Sequence, residues 1–93
     1  MNASPSQVSL TLPEKLAVIE SRSFTHCSSL ERVVFNKNLK TVGNGAFQGC
    51  SALLSINLPD KLKVIEMVAF ALCTSLERVI FNKNLKTIGD CAF

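Results

Sequence analysis

The chain lacks any apolar run approaching the ~18 consecutive residues needed to cross a bilayer, so no membrane span is expected. Its opening, MNASPSQVSL, has neither the basic stretch nor the seven or more apolar residues of a secretory signal. As written the chain reads as cytoplasmic; an upstream signal would move it to the cell surface or make it secreted. The sequon at Asn2 would matter only in that second case. No residue class forms a long run, and 47% apolar with 18% charged residues argues against disorder and against a coiled coil. Excess charge is also scarce. Ten Lys and Arg against seven Asp and Glu give +3, well short of the basic footprint of a nucleic-acid domain, so no nucleic-acid partner is expected.

Chemistry-bearing motifs are missing as well. There is no C-x₂-C pair to seed a zinc site, no G-x-x-x-x-G-K-[ST] or G-x-G-x-x-G phosphate loop, and no G-x-S-x-G framing a serine. His26 is the single histidine and has no companion beside it in sequence, which makes it a structural or surface residue. The expectation is no enzyme, no metal and no cofactor.

What is present is repetition. SLERVVFNKNLKTVG, residues 29–43, returns as SLERVIFNKNLKTIG at 75–89. The underlying period is 23: Phe24, Phe47, Phe70 and Phe93 keep it, as do Cys27, Cys50 and Cys73, then Leu30, Leu53 and Leu76, and Leu16, Leu39, Leu62 and Leu85. Residues 12–47 and 58–93 share 24 of 36 positions, so a two-unit block has been doubled. Missing such a period would misread the whole fold. One small domain follows, 7–93, in units 7–29, 30–52, 53–75 and a partial 76–93, after a flexible N-terminus at 1–6.

Each unit carries one run of period two, Leu10/Leu12, Val33/Phe35, Ile56/Leu58 or Val79/Phe81, which predicts one strand of three to five residues. Asn, Lys, Pro and Asp then turn the chain away. Segments such as TVGNGAFQGC are too short and Gly-rich for a long helix, so turns, 3₁₀ pieces or one to two helical turns are expected there. A unit of this kind cannot bury its apolar face alone, but stacked on its neighbours it can, each column forming an internal ladder. The six Phe then fall on core positions.

The pattern L-x-x-V-x-F-x-x-x-L-x-x-I-x-x-x-A-F-x-x-C resembles the leucine-rich repeat, in particular the BspA-like subclass with its AF..C signature, over residues 7–93. The resemblance implies an α/β solenoid with a parallel β-sheet on one face and turns or short 3₁₀ or α segments on the other. It also implies that the outward sheet face binds partners.

Alternation along the strands points Arg32, Val34 and Asn36 outward, with Ser55 and Asn57, and Arg78, Ile80 and Asn82, in matching places. These are the candidate partner-binding residues, for a protein the sequence does not name, since two Arg among apolar and amide side chains make a blend typical of protein contacts. The laddered Cys read as buried thiols acting as small hydrophobes, with bonded or ligated sulfur the alternative; Cys91, in another column, should be more exposed. A thiol in each unit favours a reducing compartment. Lys40, Lys63 and Lys86 share a column, Lys15 and Lys61 another, with Lys37 and Lys83 near them. Glu14, Glu20, Asp60 and Glu66 dilute this stripe, so a solvated edge that discourages strand pairing is the favoured reading, and a basic edge for acidic proteins, phosphates or glycans the alternative. Phe93 is an inward position, so the C-terminal end should be open and apolar. That allows homo-oligomers, or a self-associating structural or adhesin-like piece of a longer array.

Overall fold

The period-two runs extend into strands, and each is followed by a second, shorter strand that the pattern did not announce. The computed structural model describes residues 7–93; the expected flexible N-terminus and the Asn2 sequon lie outside the described residues. The strands are β1 (Ser9–Thr11), β2 (Val18–Ile19), β3 (Arg32–Val34), β4 (Thr41–Val42), β5 (Ser55–Asn57), β6 (Val64–Ile65), β7 (Arg78–Ile80) and β8 (Thr87–Ile88). Odd-numbered strands form one parallel sheet in the order β1-β3-β5-β7, and even-numbered strands form another in the order β2-β4-β6-β8. One strand per unit was expected and two are present. Two residues are too few for alternation to register, and the surviving cue is a β-branched pair at each place.

The register is the repeat itself. Leu10 lies opposite Val33, Ile56 opposite Val79, Ile19 opposite Val42, and Ile65 opposite both Val42 and Ile88. Between β3 and β5 the only partners are Arg32 and Ser55, whereas the second sheet crosses the same junction with both of its pairs. The two sheets therefore secure the join between the duplicated blocks unequally.

No helix occurs among the described residues, so the α component of the expected α/β class is replaced by turns. Their hydrogen bonding explains why. Arg22, Phe24 and His26 donate across to the carbonyls of Asn44, Ala46 and Gln48, while the residues between them, Ser23, Thr25 and Cys27, donate three positions back to Glu20, Arg22 and Phe24. Gly45, Phe47 and Gly49 repeat the crossing to Met67, Ala69 and Ala71. Alternation of local and crossing bonds satisfies each amide, whereas a helix would close all of them within one unit and leave the neighbour unpaired. It also requires two left-handed residues per full turn, at Arg22, Gly45, Val68 and Cys91 in one column and His26, Gly49 and Leu72 in the next. Only two of those seven are glycine, so inter-unit bonding outweighs the local steric cost of ~1–2 kcal/mol per residue.

The core is a set of stacked columns. Leu30, Leu39, Phe47, Cys50, Leu53, Leu62 and Ile65 are fully buried. The Phe rings stack directly: Phe24 to Phe47 at 5.3 Å, Phe47 to Phe70 at 5.2 Å and Phe70 to Phe93 at 5.3 Å, with interplanar angles of 16°, 2° and 8°. Phe35 and Phe81 meet the stack edge-on, at Phe47 and Phe93. Such pairs add ~0.5–1.5 kcal/mol each beyond area burial. Phe81 and Phe93 were expected in the core and are half exposed, 53% and 46%, because unit 4 is covered on one side only.

Asn36 also departs from expectation. It was placed on the outward face, yet its side chain is buried, one residue clear of the strand end by the intervening Phe35. Its Nδ2 donates to the carbonyls of Pro13 and Leu16, the latter at 2.9 Å, and its Oδ1 accepts from the Asn38 amide at 2.8 Å. Asn82 makes the same three bonds to Pro59, Leu62 and Asn84. Each Asn ties its own turn to the turn of the preceding unit. Asn36→Ala removes the donor to the Leu16 carbonyl and the acceptor of the Asn38 amide, while the Pro13 carbonyl keeps the Leu16 amide, and should lower stability by ~1–3 kcal/mol in chemical denaturation, against less than ~1 kcal/mol for exposed Val34→Ala.

Candidate functional site

The outward side chains of the first sheet form the candidate surface. Arg32, Val34, Ser55, Asn57, Arg78 and Ile80 are all exposed, and the register brings Arg32 beside Ser55, Ser55 beside Arg78, and Asn57 beside Ile80. Two rungs separate the guanidinium-bearing residues, about 10 Å at normal strand spacing. Neither Arg is ion-paired; among the described residues the one salt bridge is Lys37 to Glu14 at 4.0 Å, between exposed side chains. Beside the arginines, Val34 is 55% and Ile80 49% exposed. The face thus offers two planar cations with unused donors next to two apolar tips, a pairing suited to carboxylates on a protein surface. Asn36 and Asn82 do not join it, since their amides are committed to backbone carbonyls. The cue to that role lay in the sequence: their column reads Pro13, Asn36, Pro59, Asn82, so the Asn alternates with a residue that has no side-chain donor.

Cys50 and Cys73 serve as neutral donors within the stack. Cys27 and Cys50 are buried, Cys73 is half-buried and Cys91 is exposed. Cys50 Sγ donates to the Phe24 carbonyl at 3.2 Å and Cys73 Sγ to the Phe47 carbonyl at 3.3 Å, further links from each unit to the one before. Burial, with the neighbouring Cys73 adding to it, pushes the Cys50 thiol up to about 12, and burial pushes Cys73 to about 11. Both stay neutral at physiological pH, and it is the thiolate that attacks electrophiles or binds metals. The sequence reads these thiols as small hydrophobes, with bonded or ligated sulfur the alternative, and does not announce the donor role of Cys50 and Cys73. Among the described residues no three His, Cys, Asp or Glu converge as a metal group would require. His26 lies over Gly49 at an exposed corner. Gly43, read as a turn residue, marks a close approach: a methyl there would sit 2.5 Å from the Ile19 carbonyl oxygen.

A second surface lies beyond unit 4. Phe70, Leu72, Leu76, Val79, Phe81 and Phe93 line a hollow of about 500 Å³, with Leu72 62% exposed at its rim. No helix among the described residues is long and apolar enough to cross a membrane.

A family model described as BspA type leucine rich repeat region (6 copies) matches residues 2–93. The solved structures that it resembles include two leucine-rich repeat proteins. A leucine-rich repeat protein from Bacteroides ovatus shares 36% identity over 83% of this chain, with a TM-score of 0.81. A leucine-rich repeat protein from T. pallidum shares 33% over 88%, with a TM-score of 0.85. The chain spans only 20% of the first and 41% of the second. No curated protein matches it.

Proposed function

The chain belongs to the BspA-type leucine-rich repeat family, and from that premise we propose that it is a non-enzymatic module that binds a protein through the outward face of its first sheet. Repeats of this type act as interaction or repeat modules, and proteins carrying them are often surface-exposed or secreted. The observation that supports the reading most is the pair Arg32 and Arg78. Both stand on short strands whose backbone is fixed by neighbours on the ladder, and both are without an internal carboxylate, next to exposed Val34 and Ile80. A rigid scaffold lowers the ordering cost of binding, and arginine and apolar anchors are favoured where partners meet.

The half-exposed apolar hollow at unit 4 favours a second reading, in which that face packs against a further repeat or a second copy of the chain. An apolar area of this kind on a folded surface marks a contact site.

Both readings are separated by one set of proteins. Arg32→Glu with Arg78→Glu should abolish capture of the partner that the wild-type chain retains, with the melting temperature unchanged. Retention of the same partner by the double variant rejects the sheet face. Light scattering of the wild type at about 0.1 mM tests the hollow, since at that concentration even weak self-association populates a dimer; a monodisperse monomer rejects self-association.

A further inference from the structure

All seven lysines of the chain lie on one side of the solenoid, on the four turns that join a first-sheet strand to a second-sheet strand, at 12–17, 35–40, 58–63 and 81–86. Every one is exposed. The carboxylates on those turns are Glu14 and Asp60 alone, while the other five acidic residues and all three arginines lie elsewhere. The small net charge hides a cationic edge, because all seven lysines are gathered there and five of the seven carboxylates lie off it.

Within that edge one column stands out. Lys40, Lys63 and Lys86 follow Ala17 at the repeat step, and their backbones form a continuous run: Lys40 donates to the Ala17 carbonyl at 2.8 Å, Lys63 to that of Lys40 at 3.0 Å and Lys86 to that of Lys63 at 2.8 Å. Three ammonium-bearing residues are thereby held on successive rungs, about 4.8 Å apart at the backbone. Like charges set opposite one another on a sheet destabilise it. The neighbouring column shows the alternative, alternating as Glu14, Lys37, Asp60 and Lys83 and closing one ion pair. No carboxylate pairs with Lys40, Lys63 or Lys86 among the described residues. Guarding a sheet edge does not account for them either, because β4 and β6, which follow Lys40 and Lys63, are paired on both sides.

We propose that this lysine column is a binding site for a linear sulfated polysaccharide lying along the stacking axis. A line of evenly spaced cations, running across the strands, fits an extended chain that carries anionic groups in series better than it fits a plane. The cations are all lysine, a hydrated point charge, with none of the planar forks that favour phosphate and nucleic acid. No series of rings accompanies the lysines for successive bases to stack on: the chain has no Trp or Tyr, and of the two rings on these turns, both set edge-on against Phe47 and Phe93, only Phe81 is exposed. The site is separate from the sheet face carrying Arg32 and Arg78, so it stands whether or not that face binds a protein.

Heparin fragments titrated by calorimetry test the assignment. The wild type should bind at about 50 mM salt and lose affinity steeply as salt rises, since each contact releases counterions. Lys40→Gln, Lys63→Gln and Lys86→Gln together should weaken binding by about tenfold or more and flatten the salt dependence, with the melting temperature not lowered. The corresponding triple Arg variant should bind at least as well as wild type and keep its salt slope, as the number of cations is unchanged. Arg32→Gln with Arg78→Gln should leave heparin affinity unchanged. Absence of heparin binding by the wild type, equal weakening by the Lys and Arg removals, or displacement of heparin by an equal charge of poly-glutamate would each overturn the site, the last in favour of an acidic protein.

Discussion

Hydrogen bonds that leave one unit and close on the next hold this chain together. Arg22, Phe24 and His26 send their amides to acceptors 22 residues ahead, Asn36 and Asn82 send side-chain amides back to the preceding turn, and Cys50 and Cys73 send thiols 26 residues back. The stacked rings at Phe24, Phe47, Phe70 and Phe93 follow the same step. A unit by itself would leave these donors unsatisfied and its apolar face wet. Stability is therefore a property of neighbouring pairs of units, as expected of a one-dimensional array.

That dependence accounts for the inward columns at a step of 23 and sets what the surface is free to do. Inward columns are held to Leu, Ile, Val, Phe, Cys and Ala because each side chain packs against its own counterpart above and below. Outward columns carry no such demand, and there the units differ: Ser9, Arg32, Ser55 and Arg78 share one column, and Glu14, Lys37, Asp60 and Lys83 another. Charge is sorted by face, with arginines on the first sheet and at the Arg22 corner and lysines on the turns between sheets. The scaffold thus presents two chemically distinct surfaces on one rigid frame, one suited to bidentate contact with carboxylates and one to a line of anions.

The stacked architecture was legible because four columns of identical residues share one step, and no helical or hairpin pattern produces that. The second sheet was not, since Val18–Ile19 and its counterparts are two residues long and their neighbours on either side obey no alternation. Turns in place of helical segments depended on crossing hydrogen bonds, which no local propensity encodes; Val68 and Leu72 adopt left-handed backbone that their own sequence argues against. On the candidate face, alternation placed Arg32, Val34, Ser55, Asn57, Arg78 and Ile80 outward correctly. It failed at Asn36 because the strand ends at Val34, after which the count of two no longer applies.

Double-mutant cycles on the ring stack test the central claim most directly, because they measure whether energy passes only between adjacent rungs. With Phe24→Leu, Phe47→Leu and Phe70→Leu singly and in pairs, the account predicts coupling of ~0.5–1.5 kcal/mol for Phe24 with Phe47 and for Phe47 with Phe70, and none between Phe24 and Phe70. Equal coupling in all three pairs, or none in the adjacent ones, would contradict a structure held together unit by unit.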